Sequence, residues 1–138
     1  MKTFRLIIFA SIVLFATSVF SQQTATLACD IEALQNGSKP AEVCYFVENP
    51  DINPELFTIE AEVGEEILWS GEGTVLIRKV KHYGGTNVFN KDPEGGGEII
   101  ARPNKKTDGK PYRYKLKFRL EGSNKQYKID PIIKVRNK

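Results

Sequence analysis

The sequence predicts an all-β sandwich of about seven strands with a short helix near its N-terminus. The strongest signal is residues 112–120, where apolar and charged side chains alternate without exception. Such alternation puts the two kinds of side chain on opposite faces of a strand, whereas a helix would scatter them. β-Branched and aromatic runs also recur between turn residues at roughly 8- to 12-residue intervals, a spacing typical of sandwiches and barrels.

The N-terminus has the composition of a secretory signal peptide that is cleaved after Ser21. Lys2 and Arg5 precede and flank an apolar run over residues 6–15, and small and polar residues follow it. An uncleaved membrane anchor is the alternative, but the run is shorter than the roughly 20 residues that span a bilayer. We therefore expect a periplasmic or secreted protein that has lost residues 1–21 and keeps no integral membrane segment.

Two cysteines, Cys29 and Cys44, lie beyond the expected signal peptide. In an exported protein two cysteines most simply pair, so we expect a structural disulfide. A redox pair or a metal site is disfavoured because the spacing is not C-x-x-C and no histidine lies nearby. Residues 22–52 are thus expected to form a disulfide-tied N-terminal segment ahead of a sandwich domain over residues 53–138.

Within the N-terminal segment, residues 22–27 are polar and are expected to be frayed. Residues 30–36 predict about two helical turns, with Asp30 as the N-cap and Gly37 as the stop signal. Residues 43–47 are β-branched and aromatic, so they predict a strand. The disulfide would then join the short helix to this strand.

The sandwich domain is predicted to consist of short strands. Between Ile77 and Val80 the alternation changes phase, which indicates a bulge or a bend. Residues 95–97 are glycines among acidic neighbours, and they predict a flexible hairpin tip rather than a phosphate-binding loop. The predicted strands of this domain are residues 57–63, 67–69, 74–83, 98–101, 112–120, 127–129 and 132–135.

Charge is divided unevenly along the chain. Residues 22–100 contain 5 basic and 14 acidic residues, whereas residues 101–138 contain 13 basic and 3 acidic residues. The net charge of the whole chain is +3, and it falls to +1 when Lys2 and Arg5 leave with the signal peptide. A net charge this small argues against a general nucleic-acid partner.

The charged side of residues 112–120 is the candidate binding site. One interpretation is an ordinary solvated face whose charges are absorbed by cross-strand ion pairs. The other is a basic stripe that docks an acidic protein or an anionic envelope glycan or lipid. The apolar residues of this strand, together with Trp69, are expected in the core. The charged residues lie about 7 Å apart on one face, and they are Arg113, Lys115, Lys117 and Arg119.

Two parts of the chain resemble the cupredoxins, the small blue-copper sandwiches. Residues 63–69, VGEEILW, are similar to the V-x-x-G-D-x-V-x-W stretch of that family. Residues 111–114 and 132–135 resemble its terminal hairpin. Residues 130–135 also resemble the D-P-x-I-x-V segment that ends the strand pattern of exported bacterial domains of cupredoxin-like or immunoglobulin-like type. The resemblance implies a Greek-key sandwich, cupredoxin-like or immunoglobulin-like.

The resemblance does not extend to copper binding. A blue-copper site needs two histidines, a cysteine thiolate and usually an axial methionine. Here His82 is the only histidine and Met1 is the only methionine of the chain. We therefore expect neither a metal nor another cofactor.

The remaining candidate residues give weak catalytic signals. His82 is expected at the surface or at a strand edge, because no carboxylate can be placed beside it from the sequence. Glu65 and Glu66 form a carboxylate pair, but neighbours on a strand point to opposite faces. The favoured function is an exported, non-catalytic binding module that uses one sheet face or the loop over residues 82–87. The alternative is a carboxylate-dependent hydrolase that acts on envelope polysaccharide.

Overall fold

The computed structural model describes residues 21–137, so the expected signal peptide, apart from Ser21, lies outside the described residues. Two short helices, α1 (Ile31–Gln35) and α2 (Pro40–Val43), and a turn of 3-10 helix (Pro54–Leu56) accompany the strands. The strands of the described residues are β1 (Gln22–Cys29), β2 (Cys44–Phe46), β3 (Thr58–Glu62), β4 (Glu66–Gly71), β5 (Val75–Gly84), β6 (Glu94–Gly97), β7 (Ile99–Ala101), β8 (Tyr112–Leu120), β9 (Gln126–Ile129) and β10 (Ile132–Arg136).

The strands form two sheets that enclose one hydrophobic core, which confirms the all-β sandwich. The strand order is β2-β1-β4-β7 in the first sheet and β3-β10-β8-β5-β6 in the second. β9 and β10 pair with successive parts of the same edge of β8, and they are separated by Pro131, which cannot donate to a ladder. The sequence predicts about seven or eight strands, and the additional ones are β1 and β6.

β1 replaces the frayed segment that the sequence predicts, so this expectation is wrong. The strand lies between β2 and β4, antiparallel to the first and parallel to the second. Its inward side chains, Ala25 and Leu27, are fully buried. Its polar residues Thr24 and Thr26 lie on the outer side, where both hydroxyls donate to the Glu48 carboxylate. The N-terminal segment therefore supplies two strands of the sandwich.

Cys29 and Cys44 form the expected disulfide, but it joins the paired ends of β1 and β2. The expectation that it ties the helix to a strand is wrong. The helix itself is confirmed as α1, and the Asp30 carboxylate caps it by accepting from the Ala33 amide at 3.1 Å. Gly37 follows the helix with a φ of 94°, a backbone conformation that glycine adopts without strain.

The glycine run over residues 95–97 is not a hairpin tip, so this prediction is also wrong. It makes up most of β6, which pairs with β5. Gly95 lies so close to the Glu98 carbonyl that a Cβ would have no room. Glycine is needed at this position because two backbone segments approach each other closely. In the sequence alone, a run of glycines suggests a flexible loop instead, which is why the prediction is wrong.

The two central strands of the second sheet agree with the sequence prediction. The register of β5 against β8 shifts between Ile77 and Lys79, where the sequence predicts a bulge. Trp69 on β4 is buried, and its indole N–H donates to the Tyr114 hydroxyl of β8 at 3.2 Å, which links the two sheets. The apolar residues of β8 are all buried in the core: Tyr112, Tyr114, Leu116, Phe118 and Leu120.

Removal of the disulfide is expected to destabilise the fold. The two cysteines are 15 residues apart in sequence, and the closure entropy of a loop of this length stabilises the folded state by roughly 3 kcal/mol. The Cys29→Ala/Cys44→Ala variant should lose about that much free energy of unfolding in urea titrations. The reduced wild-type protein is the matched control and should lose a similar amount. A loss below about 1 kcal/mol in both would contradict the prediction.

Alkaline pH is expected to destabilise the fold through Tyr112 and Tyr114. Burial raises the pKa of both phenols well above the ordinary value of about 10. Above that pH the unfolded chain loses protons that the folded protein keeps. The stabilisation is therefore complete below about pH 10, and the free energy of unfolding falls by roughly 1.4 kcal/mol per group for each pH unit above it.

Urea unfolding between about pH 9 and pH 11.5 measures this slope. Tyr112→Phe is the matched control, because it keeps the ring and removes one of the two phenols. It should remove about half of the tyrosine-dependent slope. Ultraviolet titration of the folded protein provides a second test, and ionisation of every tyrosine near pH 10 would contradict the prediction.

Candidate functional site

The charged side of β8 is the centre of a larger basic surface on the outside of the second sheet. β5 and β9 flank β8 there and add lysines from their own outward positions. We call this surface the basic face. It consists of Lys79 and Lys81 on β5, Arg113, Lys115, Lys117 and Arg119 on β8, and Lys128 on β9.

The register of the sheet places lysine opposite lysine on this face. Lys117 is paired with Lys79 on one side and with Lys128 on the other. Lys115 is paired with Lys81. Residues directly opposite each other on antiparallel strands have Cβ atoms roughly 5 Å apart, and like charges in such pairs are destabilising. The fold therefore concentrates positive charge across three adjacent strands.

Ion pairs neutralise little of this charge. Among residues 21–137, Lys79 is the one member of the basic face that forms an ion pair, with Glu94 on β6 at 3.0 Å. Cross-strand neutralisation occurs instead between β3 and β10, where Arg136 lies opposite Glu62 and pairs with it at 3.4 Å. Among the described residues, cross-strand ion pairs thus neutralise β10 and not β8, and the interpretation of the charged side of β8 as an ordinary solvated face stays a prediction.

Lys117, at the centre of the basic face, is the residue most affected by this crowding. The pKa of its ammonium group is lowered from the ordinary lysine value, first by desolvation and then by the charges of four neighbouring lysines. The register sets these positive charges opposite one another, and an anion bound there would reduce their repulsion. The four neighbours are Lys79, Lys81, Lys115 and Lys128.

An exposed aromatic ring lies at one end of the basic face. Tyr83 on β5 is 45% exposed, and the Nζ atom of Lys115 lies 5.8 Å from the centre of its ring. At the other end, Arg119 lies opposite Leu76. The Nε atom of Arg119 is shielded from solvent and has no hydrogen-bond partner among the described residues. The basic face therefore has Tyr83 and Lys115 near one end and the Arg119 guanidinium group at the other.

The alternation along residues 112–120 predicts the β8 part of the basic face, but the sequence does not predict that lysines of the flanking strands join it. Lys79 and Lys81 flank the buried Val80, and Lys128 lies between two buried residues of β9. Local alternation is enough to place each of them on an outer surface. What the local pattern does not contain is which strand pairs with which, and it is this pairing that brings the three lysines beside β8.

His82 lies at the same end of the second sheet, paired with the inward-facing Tyr114 of β8. Its ring stacks on that of Tyr112 with 5.2 Å between centroids. Its Nε2 atom lies 3.0 Å from the carbonyl oxygen of Gly85, and its backbone N–H donates to Asp92 at 3.3 Å. The histidine therefore helps to fix the start of the loop over residues 82–87.

Glu65 and Glu66, the candidate catalytic pair, have different partners within the fold. The Glu66 carboxylate forms an ion pair with Arg102 at 2.7 Å. The Glu65 carboxylate accepts from the Glu62 backbone amide at 3.2 Å and from the hydroxyl of Ser21, which is expected to leave with the signal peptide. The Glu66 carboxylate also accepts from the Gln22 side-chain amide. Each carboxylate therefore has partners of its own within the fold, and a catalytic role for the pair stays a prediction.

The described part of the chain contains no group of three His, Cys, Asp or Glu residues arranged to hold a metal ion. In the same residues, no helix has the length and apolar character needed to cross a membrane. No known protein family matches the chain, and no curated protein matches its sequence. The resemblance to cupredoxin-like and immunoglobulin-like domains therefore rests on the sequence stretches given above.

Replacing the central lysine of the basic face with an acid is expected to stabilise the protein. In Lys117→Glu, the two like-charge pairs with Lys79 and Lys128 become opposite-charge pairs. The free energy of unfolding should rise by about 0.5–1 kcal/mol at low salt, and the gain should shrink at high salt.

The matched control for this prediction is Lys105→Glu, which makes the same charge change at an exposed loop position without an ion pair among the described residues. Urea unfolding of both variants, at low and high salt, measures the effect. The control should stay within about 0.5 kcal/mol of the wild-type protein. Equal effects of the two variants, or a loss of stability in Lys117→Glu, would show that the lysines do not repel each other.

Proposed function

We propose that this protein is an exported, non-catalytic binding module that docks an anionic component of the cell envelope through the basic face. The observation that carries this proposal is the register, which sets Lys117 between Lys79 and Lys128, whereas the ion pair of the basic face is made by Lys79 with Glu94. A bound polyanion would supply the opposite charges, so the ligand both gains attraction and relieves repulsion.

The extent of the basic face favours a large ligand. The four cations of β8 occupy alternate positions of one strand and therefore span about 20 Å. Lysines on the neighbouring strands widen this row. The outer surface of a sheet gives little enclosure, whereas small molecules bind mostly in concave pockets. A polymer or an extended surface with repeated negative charges fits this arrangement best.

The disulfide supports the exported location that the proposal requires. Disulfides persist in secreted and periplasmic proteins and are rare in reducing compartments. Cys29 and Cys44 join two strands at the edge of the first sheet, whereas the basic face lies on the second sheet. Their role in the proposal is to stabilise the domain outside the cell.

Charge reversal on the basic face is expected to abolish binding to anionic polymers and surfaces. The test variant is Lys115→Glu/Lys117→Glu/Lys128→Glu. The matched control is Lys105→Glu/Lys106→Glu/Lys110→Glu, which changes the net charge equally at exposed positions of the loop between β7 and β8. The probes are polygalacturonate, polyglutamate and phosphatidylglycerol vesicles, measured by titration calorimetry and, for the vesicles, by co-sedimentation.

The wild-type protein should bind at least one of these probes at about 50 mM salt and lose at least roughly tenfold in affinity at about 0.5 M salt. Bound polymer should also raise the melting temperature, because it binds the folded state alone. The test variant should bind more than roughly tenfold more weakly than the control at low salt. Binding that is equal in the two variants, that is unchanged at high salt, or that is absent for all three probes would overturn the proposal.

A further inference from the structure

We infer that the anionic ligand is an acidic polysaccharide, one of whose sugar rings stacks on Tyr83 while its carboxylates contact the lysines of the basic face. This inference rests on the proposed function and adds the chemical class of the ligand. It is carried by the position of Tyr83 at the end of the row of cations.

Tyr83 differs from the other aromatic residues of the second sheet. Those residues are buried in the core, whereas 45% of Tyr83 is exposed. The Nζ atom of the outward-facing Lys115 lies over one face of the Tyr83 ring, 5.8 Å from the ring centre, which leaves the other face for a ligand. A ligand at this end of the face would therefore meet a flat apolar surface and a positive charge next to each other. The buried residues are Tyr112, Tyr114, Phe118 and Tyr127.

An acidic sugar offers the complementary pair of groups. The faces of a sugar ring carry C–H groups, which pack on an aromatic ring as other apolar groups do. A uronic acid places a carboxylate on the edge of the same ring, where an ammonium group can reach it. An acidic polypeptide carries its charges on flexible side chains and has no ring to stack, so it would use the lysines and leave Tyr83 without a contact.

A membrane surface fits the basic face less well. Proteins that bind to membrane surfaces combine cations with several apolar side chains that enter the lipid. Tyr83 is the one strongly exposed large apolar residue of the basic face, and the others in the described chain lie elsewhere. The cations of β8 form a row along one strand, and such a row suits a linear polymer. The other exposed large apolar residues are Tyr45, Val47, Leu56 and Ile100.

The test compares three polyanions on three variants of the intact domain. Polygalacturonate has sugar rings and carboxylates, polyglutamate of equal charge has carboxylates alone, and polyuridylate has bases that stack and phosphates. The variants are Tyr83→Ala, Tyr83→Phe and Tyr45→Ala. The last is the matched control, because Tyr45 is 42% exposed on β2 in the first sheet. Affinities are measured by titration calorimetry at about 50 mM salt.

We expect Tyr83→Ala to bind polygalacturonate roughly three- to tenfold more weakly than the wild-type protein does. Its affinity for polyglutamate should change less than about twofold, because the lysines remain. Tyr83→Phe keeps the ring and should retain the wild-type affinity, and Tyr45→Ala should be unchanged for every probe. Melting temperatures show whether each variant is folded. If Tyr83→Ala does not fold, the comparison of Tyr83→Phe with the wild-type protein on the three polyanions still tests the inference.

Two results would overturn the inference and leave the proposed function intact. In the first, Tyr83→Ala weakens polygalacturonate and polyglutamate by the same factor, so that the ring makes no selective contact. In the second, polyglutamate or polyuridylate binds the wild-type protein more tightly than polygalacturonate does. If none of the polyanions and no anionic vesicle binds, the proposed function fails together with the inference.

Discussion

The pairing of β5 with β8 is the constraint on which the rest of the second sheet depends. Side chains alternate along a strand, so a shift of one residue exchanges its inner and outer faces. The extra residue between Ile77 and Lys79 makes this shift, and a second irregularity, at Tyr83, lies between His82 and Gly84. As a result Val80 lies opposite Leu116 in the core, and Lys79 lies opposite Lys117 on the outside. Without the bulge, Val80 would face solvent and Lys79 would enter the core.

The magnitudes explain why the sheet tolerates a row of like charges. Burial of each large apolar side chain of β8 contributes roughly 1.5–3 kcal/mol, and five of them face the core. Each pair of opposed lysines costs at most about 1 kcal/mol at the surface, where water and salt screen the repulsion. The inner face of β8 therefore decides the register. The outer face is free to carry a charge pattern that the stability of the fold alone would not favour.

Some elements of the fold can be predicted from their own residues alone. The alternation of residues 112–120, the phase change after Ile77 and the N-cap at Asp30 could all be predicted, because the neighbouring residues contain the whole signal. β1 could not be predicted in this way, because its outward threonines make its sequence polar. Its position between β2 and β4 depends on tertiary structure. The same limit applies to the binding site. Lys117 could be placed on an outer face, but its neighbours Lys79 and Lys128 come from strands whose pairing the sequence does not state.

A protein with a small net charge can still have a strongly basic face, because salt screens each charge over a short distance. At physiological salt the field of a charge decays over about 8 Å, so a ligand at the outer surface of β8 senses the lysines of three strands and little of the remaining molecule. Acids such as Glu48 and Glu66 lie with the first sheet, where they accept hydrogen bonds from its threonines or pair with Arg102. A distant polyanion therefore meets a nearly neutral protein and is steered weakly, whereas one in contact meets a strongly basic surface. Net charge alone is thus a poor guide to the partner, because the fold separates charges that the composition averages.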